Sequence, residues 1–315
     1  MKLTTTRYLP GKIHAYKFSR SVCGPLEPEA IYKVNCSEKN LNHAVAPNLD
    51  RAIYTTSHSV VCINQNSDIL WQYDLEPHST QRHLCDCTCT FSLDGALVWV
   101  YRPDAMADRG SDLLVVLRAD TGQEVGRTTL NSVGEGAQLL LHPDGRHILL
   151  DVGEGQDGVK LYRAVFTGDN IDLHSYEWDD RVLIDVAPDG RWFMTVDHGR
   201  YDVAFHDFLS GEVMLRVPIE AFGYEYFGDD EACVDWNGGF LNGDIAVVTI
   251  AGEVDDQEWH CHYSIDLRSG IPCGRFEAYS RDNYDFEALG DGTWILSGLD
   301  GSVVRRRWST MDQGP

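Results

Sequence analysis

Residues 181–218 alternate between apolar and polar positions in four short runs, which are separated by turn residues. The runs are residues 182–187, 192–196, 201–208 and 213–217. Pro188-Asp189-Gly190 supplies turn chemistry between the first two runs, and Ser210-Gly211 does so before the last. The pattern predicts four antiparallel strands within 38 residues.

The turn between the first two strands of this unit recurs along the chain. It is found again as Leu9-Pro10-Gly11, Leu49-Asp50, Leu93-Asp94-Gly95, Pro143-Asp144-Gly145, Asn242-Gly243 and Asp291-Gly292. Successive turns are 39 to 53 residues apart, which is the range of four-stranded propeller blades. We therefore predict an all-β fold, a single β-propeller of four-stranded antiparallel blades. Seven turns favour seven blades, with six as the alternative because only six complete four-strand units can be assembled.

The N-terminal residues are predicted to supply the strand that closes the propeller. The last repeat reaches residue 315 where its fourth strand should begin, so we expect an N-terminal strand to close the ring. Three strand-like runs are available there, namely residues 2–8, 12–18 and 30–36. At least one of them is expected to pair beside Val303–Trp308. Residues 1–315 then form one domain, with residues 1–36 as closing strands and N-terminal extension.

Three of the turns carry a longer sequence signature. They read Phe91-Ser92-Leu93-Asp94-Gly95, His142-Pro143-Asp144-Gly145 and Ala187-Pro188-Asp189-Gly190, and an apolar strand follows each. In these stretches the chain resembles the WD40-like β-propellers, over roughly residues 40–310. The WD dipeptide itself is missing from the blade ends. The chain is also similar to uncharacterised bacterial propeller proteins, and these resemblances imply a fold without implying an activity.

Charge and composition narrow the classes of partner. The sequence has 49 acidic and 26 basic residues, a net charge of −23, which opposes binding to nucleic acid. No run of eighteen apolar residues is present, so no membrane partner is expected. The first residues show no secretory signal, and the nine scattered cysteines suit reduced thiols. We expect a cytoplasmic location.

The elaborated loops of the predicted propeller are acidic and aromatic. Loops between second and third strands share one face with the connections between blades, and that face carries most of the loop acids. We expect it to bind a protein or peptide partner with basic groups, as a non-catalytic scaffold. The partner-binding candidates are Tyr201, Tyr224, Tyr226, Asp255, Asp256 and Glu258. The alternative for the tyrosines is that they fill gaps between neighbouring sheets.

An enzyme is the alternative function. Carboxylates beside a histidine at the propeller mouth suit acid–base catalysis, with metal assistance as an option. The candidates are Glu135, Glu154, Asp197, His198 and Glu253. No nucleophile elbow, phosphate-binding loop or dinucleotide fingerprint is present, so no catalytic motif supports this alternative.

Two stretches raise the question of a metal ion. The glycine-rich loop Gly153–Gly158, with Asp157, offers oxygen ligands of the kind calcium takes, although it also suits a plain tight turn. His260 and His262 lie on one side of a predicted strand and suit zinc, but a polar strand face is the alternative. We therefore predict no cofactor, with calcium or zinc as the alternative. The alternating Cys85, Cys87 and Cys89 are expected in the core.

Overall fold

A computed structural model describes residues 4–9, 11–18, 23–34, 42–77, 87–178, 180–225, 232–276, 278, 283–298 and 301–308. The chain divides into two compact units, which are described separately below. The N-terminal unit consists of Leu3–Phe18 and Pro28–Asp179. The C-terminal unit consists of Met1–Lys2, Ser19–Glu27 and Asp180–Pro315. None of the helices in the described residues is long and apolar enough to cross a membrane.

The strands follow one another in short, turn-linked runs. In the first half of the chain they are β1 (Thr4–Leu9), β2 (Lys12–Lys17), β3 (Gly24–Leu26), β4 (Ala30–Lys33), β5 (His43–Val45), β6 (Arg51–Thr55), β7 (Ser59–Asn64), β8 (Ile69–Asp74), β9 (Thr88–Phe91), β10 (Leu97–Arg102), β11 (Leu113–Arg118), β12 (Glu124–Thr129), β13 (Gly136–Leu141), β14 (His147–Gly153), β15 (Val159–Phe166) and β16 (Ile171–Ser175). In the second half they are β17 (Arg181–Val186), β18 (Trp192–Asp197), β19 (Asp202–Asp207), β20 (Val213–Pro218), β21 (Cys233–Phe240), β22 (Ile245–Val254), β23 (Gln257–Asp266), β24 (Ile271–Phe276), β25 (Glu287–Ala288), β26 (Thr293–Ser297) and β27 (Val303–Arg307). Three short 3₁₀ helices are also described, Gly155–Asp157, Ile219–Phe222 and Asn283–Asp285.

The N-terminal unit contains four antiparallel sheets. Their strand orders are β1-β2-β4, β5-β6-β7-β8, β9-β10-β11-β12 and β13-β14-β15-β16. The middle strands are buried on both sides: Val98 and Val100 of β10 enter one apolar cluster, while Trp99 and Tyr101 enter another. Because side chains alternate across a strand, this arrangement packs each face of the sheet against further apolar residues.

The C-terminal unit contains three sheets. Their strand orders are β17-β18-β19-β20, β21-β22-β23-β24 and β25-β26-β27-β3. The rings of Phe205 and Phe240 meet edge to face at 5.8 Å and join the first two of these sheets in one apolar cluster. With the four sheets of the N-terminal unit, the total is seven, and the fold is the predicted all-β, seven-bladed β-propeller. Six sheets have four strands, and the sheet β1-β2-β4 has three among the described residues.

The last sheet is completed by an N-terminal strand, as predicted, but not by any of the three runs expected to supply it. Those runs lie in or beside β1, β2 and β4, which pair with one another. The strand beside β27 is β3, in which Leu26 lies opposite Val303 and Pro25 opposite Val304. Proline cannot donate a ladder hydrogen bond, and it is tolerated here because β3 is the outer strand of its sheet.

The described cysteines, seven of the nine in the sequence, are free thiols. Cys87 and Cys89 are buried beside Phe91, which confirms their predicted place in the core. Cys85 lies outside the described residues.

The turn glycines give a test of the repeat. Gly190 has φ +75°, a left-handed conformation in which a side chain is strained, so Gly190→Val should lower the free energy of unfolding by about 1 kcal/mol or more. Gly243→Val is the matched control, because Gly243 lies in another hairpin turn without a positive φ. Chemical denaturation of both variants measures the effect. Equal losses in the two would show that the backbone conformation at residue 190 is not the cause.

Closure of the last sheet gives a second test. Deleting residues 1–36 removes β3 together with the sheet β1-β2-β4 and leaves β27 with an unpaired edge, so the truncated chain should aggregate. Deletion of residues 1–3, which precede β1, is the control and should elute like the native protein. Size-exclusion chromatography and thermal melting distinguish the outcomes. A truncated chain that elutes without aggregates and keeps the original Tm would contradict a structural role for these strands, including the pairing of β3 with β27.

Candidate functional site

A long hairpin projects from the middle of the sheet β21-β22-β23-β24. Its strands β22 and β23 have ten residues each and are the longest among the described residues. Asp255 and Asp256 join them, with φ of +53° and +58°. Positive φ at both central residues defines the type I′ turn, whose twist matches that of the flanking strands. The loop predicted at residues 252–258 is therefore a regular hairpin.

The outer part of this hairpin has no strand beside it in the described part of the chain. Pairing of β21 with β22 ends where Cys233 lies opposite Ala251. On the other side, pairing of β23 with β24 ends where His262 lies opposite Phe276. We call residues 252–259 the acidic hairpin. Both of its edges present backbone groups that the described strands do not pair.

Four carboxylates cover the acidic hairpin. Glu253 lies directly opposite Glu258, and Asp255 and Asp256 form the turn. All four side chains are exposed. Like charges directly opposite each other on neighbouring strands are destabilising, by a few tenths to about 1 kcal/mol. Asp255 suits the first positive-φ position of such a turn, but Asp256 occupies the second position, where glycine is preferred. The stability of the hairpin therefore does not explain Glu253, Asp256 and Glu258.

Aromatic side chains support the foot of the hairpin. The Tyr224 ring stacks on Trp259 at 5.4 Å, and its hydroxyl lies 3.1 Å from that of Tyr263. Burial and the Tyr263 hydroxyl raise the pKa of Tyr224 well above its ordinary value. We call Tyr224, Trp259 and Tyr263 the aromatic base. The hydroxyl of Tyr224, a predicted anchor for a partner, is thus engaged within the protein, and Tyr226 lies outside the described residues.

The loop after β18 is held by a buried ion-pair network. The guanidinium of Arg181 lies 2.7 Å from Asp202 Oδ1 and 3.5 Å from Asp197 Oδ2. Arg216 donates to the other oxygen of Asp202 at 2.6 Å. Burial raises the pKa of Asp197, while Arg181 opposes the shift. Asp197, a predicted catalytic candidate, and Asp202 are thus both buried beside arginines and do not add to an exposed acidic surface.

A tryptophan that the sequence did not single out organises the same loop. His198 stacks on Trp236 at 5.8 Å, and the Arg200 guanidinium lies 4.3 Å from the centre of a Trp236 ring. The hydroxyl of Tyr284 donates to Asp235 at 3.0 Å. Arg200 and Trp236 are 36 residues apart on different sheets, so no local pattern could reveal the contact.

These parts of the C-terminal unit are connected through the backbone. Val234 N–H donates to Arg200 O, and Ile219 N–H donates to Tyr201 O, both at 3.0 Å. The 3₁₀ helix Ile219–Phe222 then places the Phe222 ring 5.4 Å from Tyr263. Tyr201 itself is 50% exposed, and its ring lies so close to Gly199 that a Cβ there would overlap it. The 3₁₀ helix Ile219–Phe222 thus connects the loop of Tyr201 to the aromatic base.

The remaining predicted acids lie in the N-terminal unit. Glu154 accepts a hydrogen bond from Val133 N at 2.7 Å, and the carboxylate of Glu135 lies beside Gly155. Asp157 ends the 3₁₀ helix Gly155–Asp157. The structure therefore brings Glu135 and Glu154 to neighbouring loops of this unit.

The loop at residues 102–112 buries two of its three aspartates, Asp104 and Asp112. Asp104 lies 2.9 Å from both Arg102 and Arg109, and all three side chains are buried. Asp112 is fully buried and accepts four hydrogen bonds, from Tyr101 Oη, Ala105 N, Ser132 Oγ and Gly134 N. Buried carboxylates need such partners, so these acids hold the loop in place.

The two histidines of β23 lie close together but are not part of a larger ligand group. Their rings are 5.9 Å apart, and His262 is buried, with Nδ1 2.9 Å from Thr249 Oγ1. Burial lowers the pKa of His262 to about 3. In the described residues, one group of three His, Cys, Asp or Glu ligand atoms converges, and it contains His142, Asp144 and His147. His260, His262 and Asp157 do not belong to it.

Comparison with known proteins gives a fold and no family. No protein-family model matches the sequence, and no curated protein does. Among solved structures, the WD40 β-propeller domain of Doa1 has 12% identity and a TM-score of 0.52, over 96% of this chain and 88% of that one. Chaetomium thermophilum Sqt1, bound to the N-terminus of ribosomal protein L10, has 15% identity and a TM-score of 0.53, over 95% and 79%. Dihydro-heme d1 dehydrogenase NirN has 13% identity and a TM-score of 0.56, over 97% and 60%. These likenesses confirm the resemblance to WD40-like propellers at the level of fold.

A buried histidine below the Asp197–Asp202 loop gives this unit a pH response. His206 Nδ1–H donates to Gly211 O at 3.0 Å, so Nε2 accepts from Thr195 Oγ1 at 2.8 Å, and Thr195 in turn accepts from Arg181 Nε. Burial lowers the pKa of His206 to about 4, although the bond to Gly211 opposes the shift. The neutral imidazole is therefore the form that fits this network.

The free energy of unfolding should fall as the pH is lowered, because of this histidine. Below about pH 6.5 the unfolded chain protonates residue 206 and the folded chain does not, until the pH nears about 4. The stability difference between the native protein and His206→Gln should narrow over this range, by at most about 3 kcal/mol. Urea denaturation at several pH values measures it, with His58→Gln at an exposed site as control. Parallel curves for the native protein and His206→Gln would rule out the assignment.

Proposed function

We propose that this chain is a non-catalytic scaffold that binds a protein or peptide partner with basic side chains through the acidic hairpin and the adjoining aromatic surface. One observation carries the proposal: four exposed carboxylates occupy eight residues of a hairpin whose own stability does not explain three of them. A cationic partner would relieve the repulsion between Glu253 and Glu258. The buried acids Asp104, Asp112, Asp197 and Asp202, in contrast, are used inside the fold.

The charges and the rings have different parts in such binding. Exposed ion pairs contribute little individually, so the acids chiefly set the sign of the partner and the rate of association. Affinity then depends on aromatic side chains that a partner can cover. Trp259 belongs to the acidic hairpin itself, and Tyr201 is half exposed in the same unit. The hairpin edges that no described strand pairs also offer backbone groups to an extended peptide.

The comparisons are consistent with this role without establishing it. Sqt1, a protein of the same fold, was solved with the N-terminus of a ribosomal protein bound to it. The fold also occurs in a dehydrogenase, NirN, so fold alone does not exclude catalysis. In this chain, however, the candidate base Asp197 is buried beside Arg181 and accepts from Gly199 N. That environment favours a structural carboxylate over a catalytic one.

The proposed setting is the cytoplasm. All seven described cysteines are free, including the exposed Cys23, and free thiols are typical of a reducing compartment.

Neutralising the acidic hairpin should weaken binding to basic peptides. The variant combines Glu253→Gln, Asp255→Asn, Asp256→Asn and Glu258→Gln, and the probe is a set of fluorescent Lys/Arg-rich peptides with and without aromatic residues. We expect association to slow about tenfold or more at low salt, because electrostatic steering is lost. Stopped-flow fluorescence at several ionic strengths measures it. Trp259→Ala should instead raise the dissociation rate of the peptides with aromatic residues.

A matched control removes the same charge elsewhere. Asp120→Asn, Asp169→Asn, Asp172→Asn and Glu177→Gln together delete four exposed acids of the N-terminal unit. This variant should bind like the native protein. If it loses as much binding as the hairpin variant, net charge and not the hairpin governs association, and the proposed site is wrong.

A further inference from the structure

Three turns of this propeller are built in the same way. In each, the central aspartate accepts a hydrogen bond from the backbone N–H two residues later: Ala96 N to Asp94 Oδ1 at 3.0 Å, Arg146 N to Asp144 Oδ1 at 2.8 Å, and Arg191 N to Asp189 Oδ1 at 3.0 Å. The residues two before and three after the aspartate differ among the three turns. The first turn runs from Ser92 to Leu97 and the third from Ala187 to Trp192, so this turn forms without imidazoles.

The β13–β14 turn carries a histidine at both flanking positions. His142 Nδ1 lies 3.1 Å from Asp144 Oδ1, and His147 Nδ1 lies 2.6 Å from Asp144 Oδ2. The two rings are 6.0 Å apart at an interplanar angle of 87°. Ligand atoms of the three side chains all lie within 4.8 Å of one another, and in the described part of the chain no other such group was found.

We propose that His142, Asp144 and His147 bind a divalent transition-metal ion at this turn, with zinc the best fit. Two imidazoles and one carboxylate form a ligand set that zinc prefers and that hard cations such as calcium do not. A tetrahedral zinc ion with ligands at about 2.0–2.1 Å holds them about 3.3 Å apart. The separations of the two imidazoles from Asp144, 3.1 and 2.6 Å, are shorter than this, so the side chains must move slightly apart to admit the ion.

The hydrogen bonds of the turn leave ligand atoms for the ion. Asp144 Oδ1 accepts from the N–H groups of Arg146 and His147, which keeps the carboxylate in place and leaves Oδ2 for the metal. Zinc would replace the proton that His147 Nδ1 shares with Oδ2. His142 Nδ1 would give up a long contact of 3.3 Å with Asp144 N.

The site is open to solvent on one side. The side chain of His142 is 9% exposed, that of His147 is 25% exposed and that of Asp144 is 35% exposed. One wall of the site is therefore fixed in the fold, and an ion can enter from the other. With three protein ligands, a fourth position stays available for water or for a side chain of a partner. Zinc that binds the folded chain but not the unfolded chain also stabilises the fold, by mass action.

Zinc titration of paired variants tests the site. His142→Ser and His147→Leu together give this turn the flanking residues of the Asp94 turn, so the variant should fold. Isothermal titration calorimetry should show one zinc ion per native chain and at least tenfold weaker binding to the variant. The rise in Tm that zinc gives the native protein should disappear. His58→Gln, an exposed histidine in the same unit, is the control and should behave like the native protein.

Cobalt distinguishes this site from a cysteine site. Co²⁺ bound to two imidazoles and a carboxylate gives visible ligand-field bands without a sulfur-to-cobalt charge-transfer band. That spectrum, lost in His147→Leu alone, supports the proposal even if the double variant fails to fold. Absence of zinc binding by the native protein, equal binding by His147→Leu, or a charge-transfer band from thiolate would each overturn it.

Discussion

Burial of both faces of the middle strands is the constraint on which the rest of the structure depends. In β10 and β18 every side chain but the first is buried, and so are residues 245–250 of β22. In β10 and in the first half of β22, successive residues enter different apolar clusters. Such a sheet cannot exist alone, because neither face can be left to water. Each sheet therefore needs apolar residues on both sides, and the strands have little freedom to carry polar function. The loops and the strand ends beyond the core are where sequence variation is tolerated, and the acidic hairpin is an extension of this kind.

The acids that give the chain its net charge of −23 fall into two groups with different surroundings. Asp104, Asp112, Asp197 and Asp202 are buried and are matched by arginines, hydroxyls and backbone N–H groups. They stabilise loop conformations, since a buried carboxylate without such partners would cost several kcal/mol. The acids of residues 252–259 have no comparable explanation within the fold. The contrast between these two groups of acids is the basis of the proposed binding site, which the total charge alone would not indicate.

The sequence predicted the repeat well because its signals are local. A glycine such as Gly190 or Gly145 marks a turn through its own backbone requirement, so the hairpins could be located one by one. The closing strand β3 could not be located in this way, because its three residues, which include Pro25, are too few to show an alternating apolar and polar pattern. The burial of Asp202 could not be predicted either. It depends on Arg181 and Arg216, which reach it only after three strands have paired, and the Arg200–Trp236 contact likewise joins two sheets.

The turn from His142 to His147 shows how one local signal can hide another. His142, Asp144 and His147 lie within six residues, and their sequence matches a turn that the propeller repeat already explains. That explanation covers the aspartate but neither histidine. The Asp94 and Asp189 turns separate the two questions, because both keep the aspartate and its backbone hydrogen bond without either imidazole. Repeats supply internal controls of this kind: what every copy retains serves the fold, and what one copy alone adds needs a cause of its own.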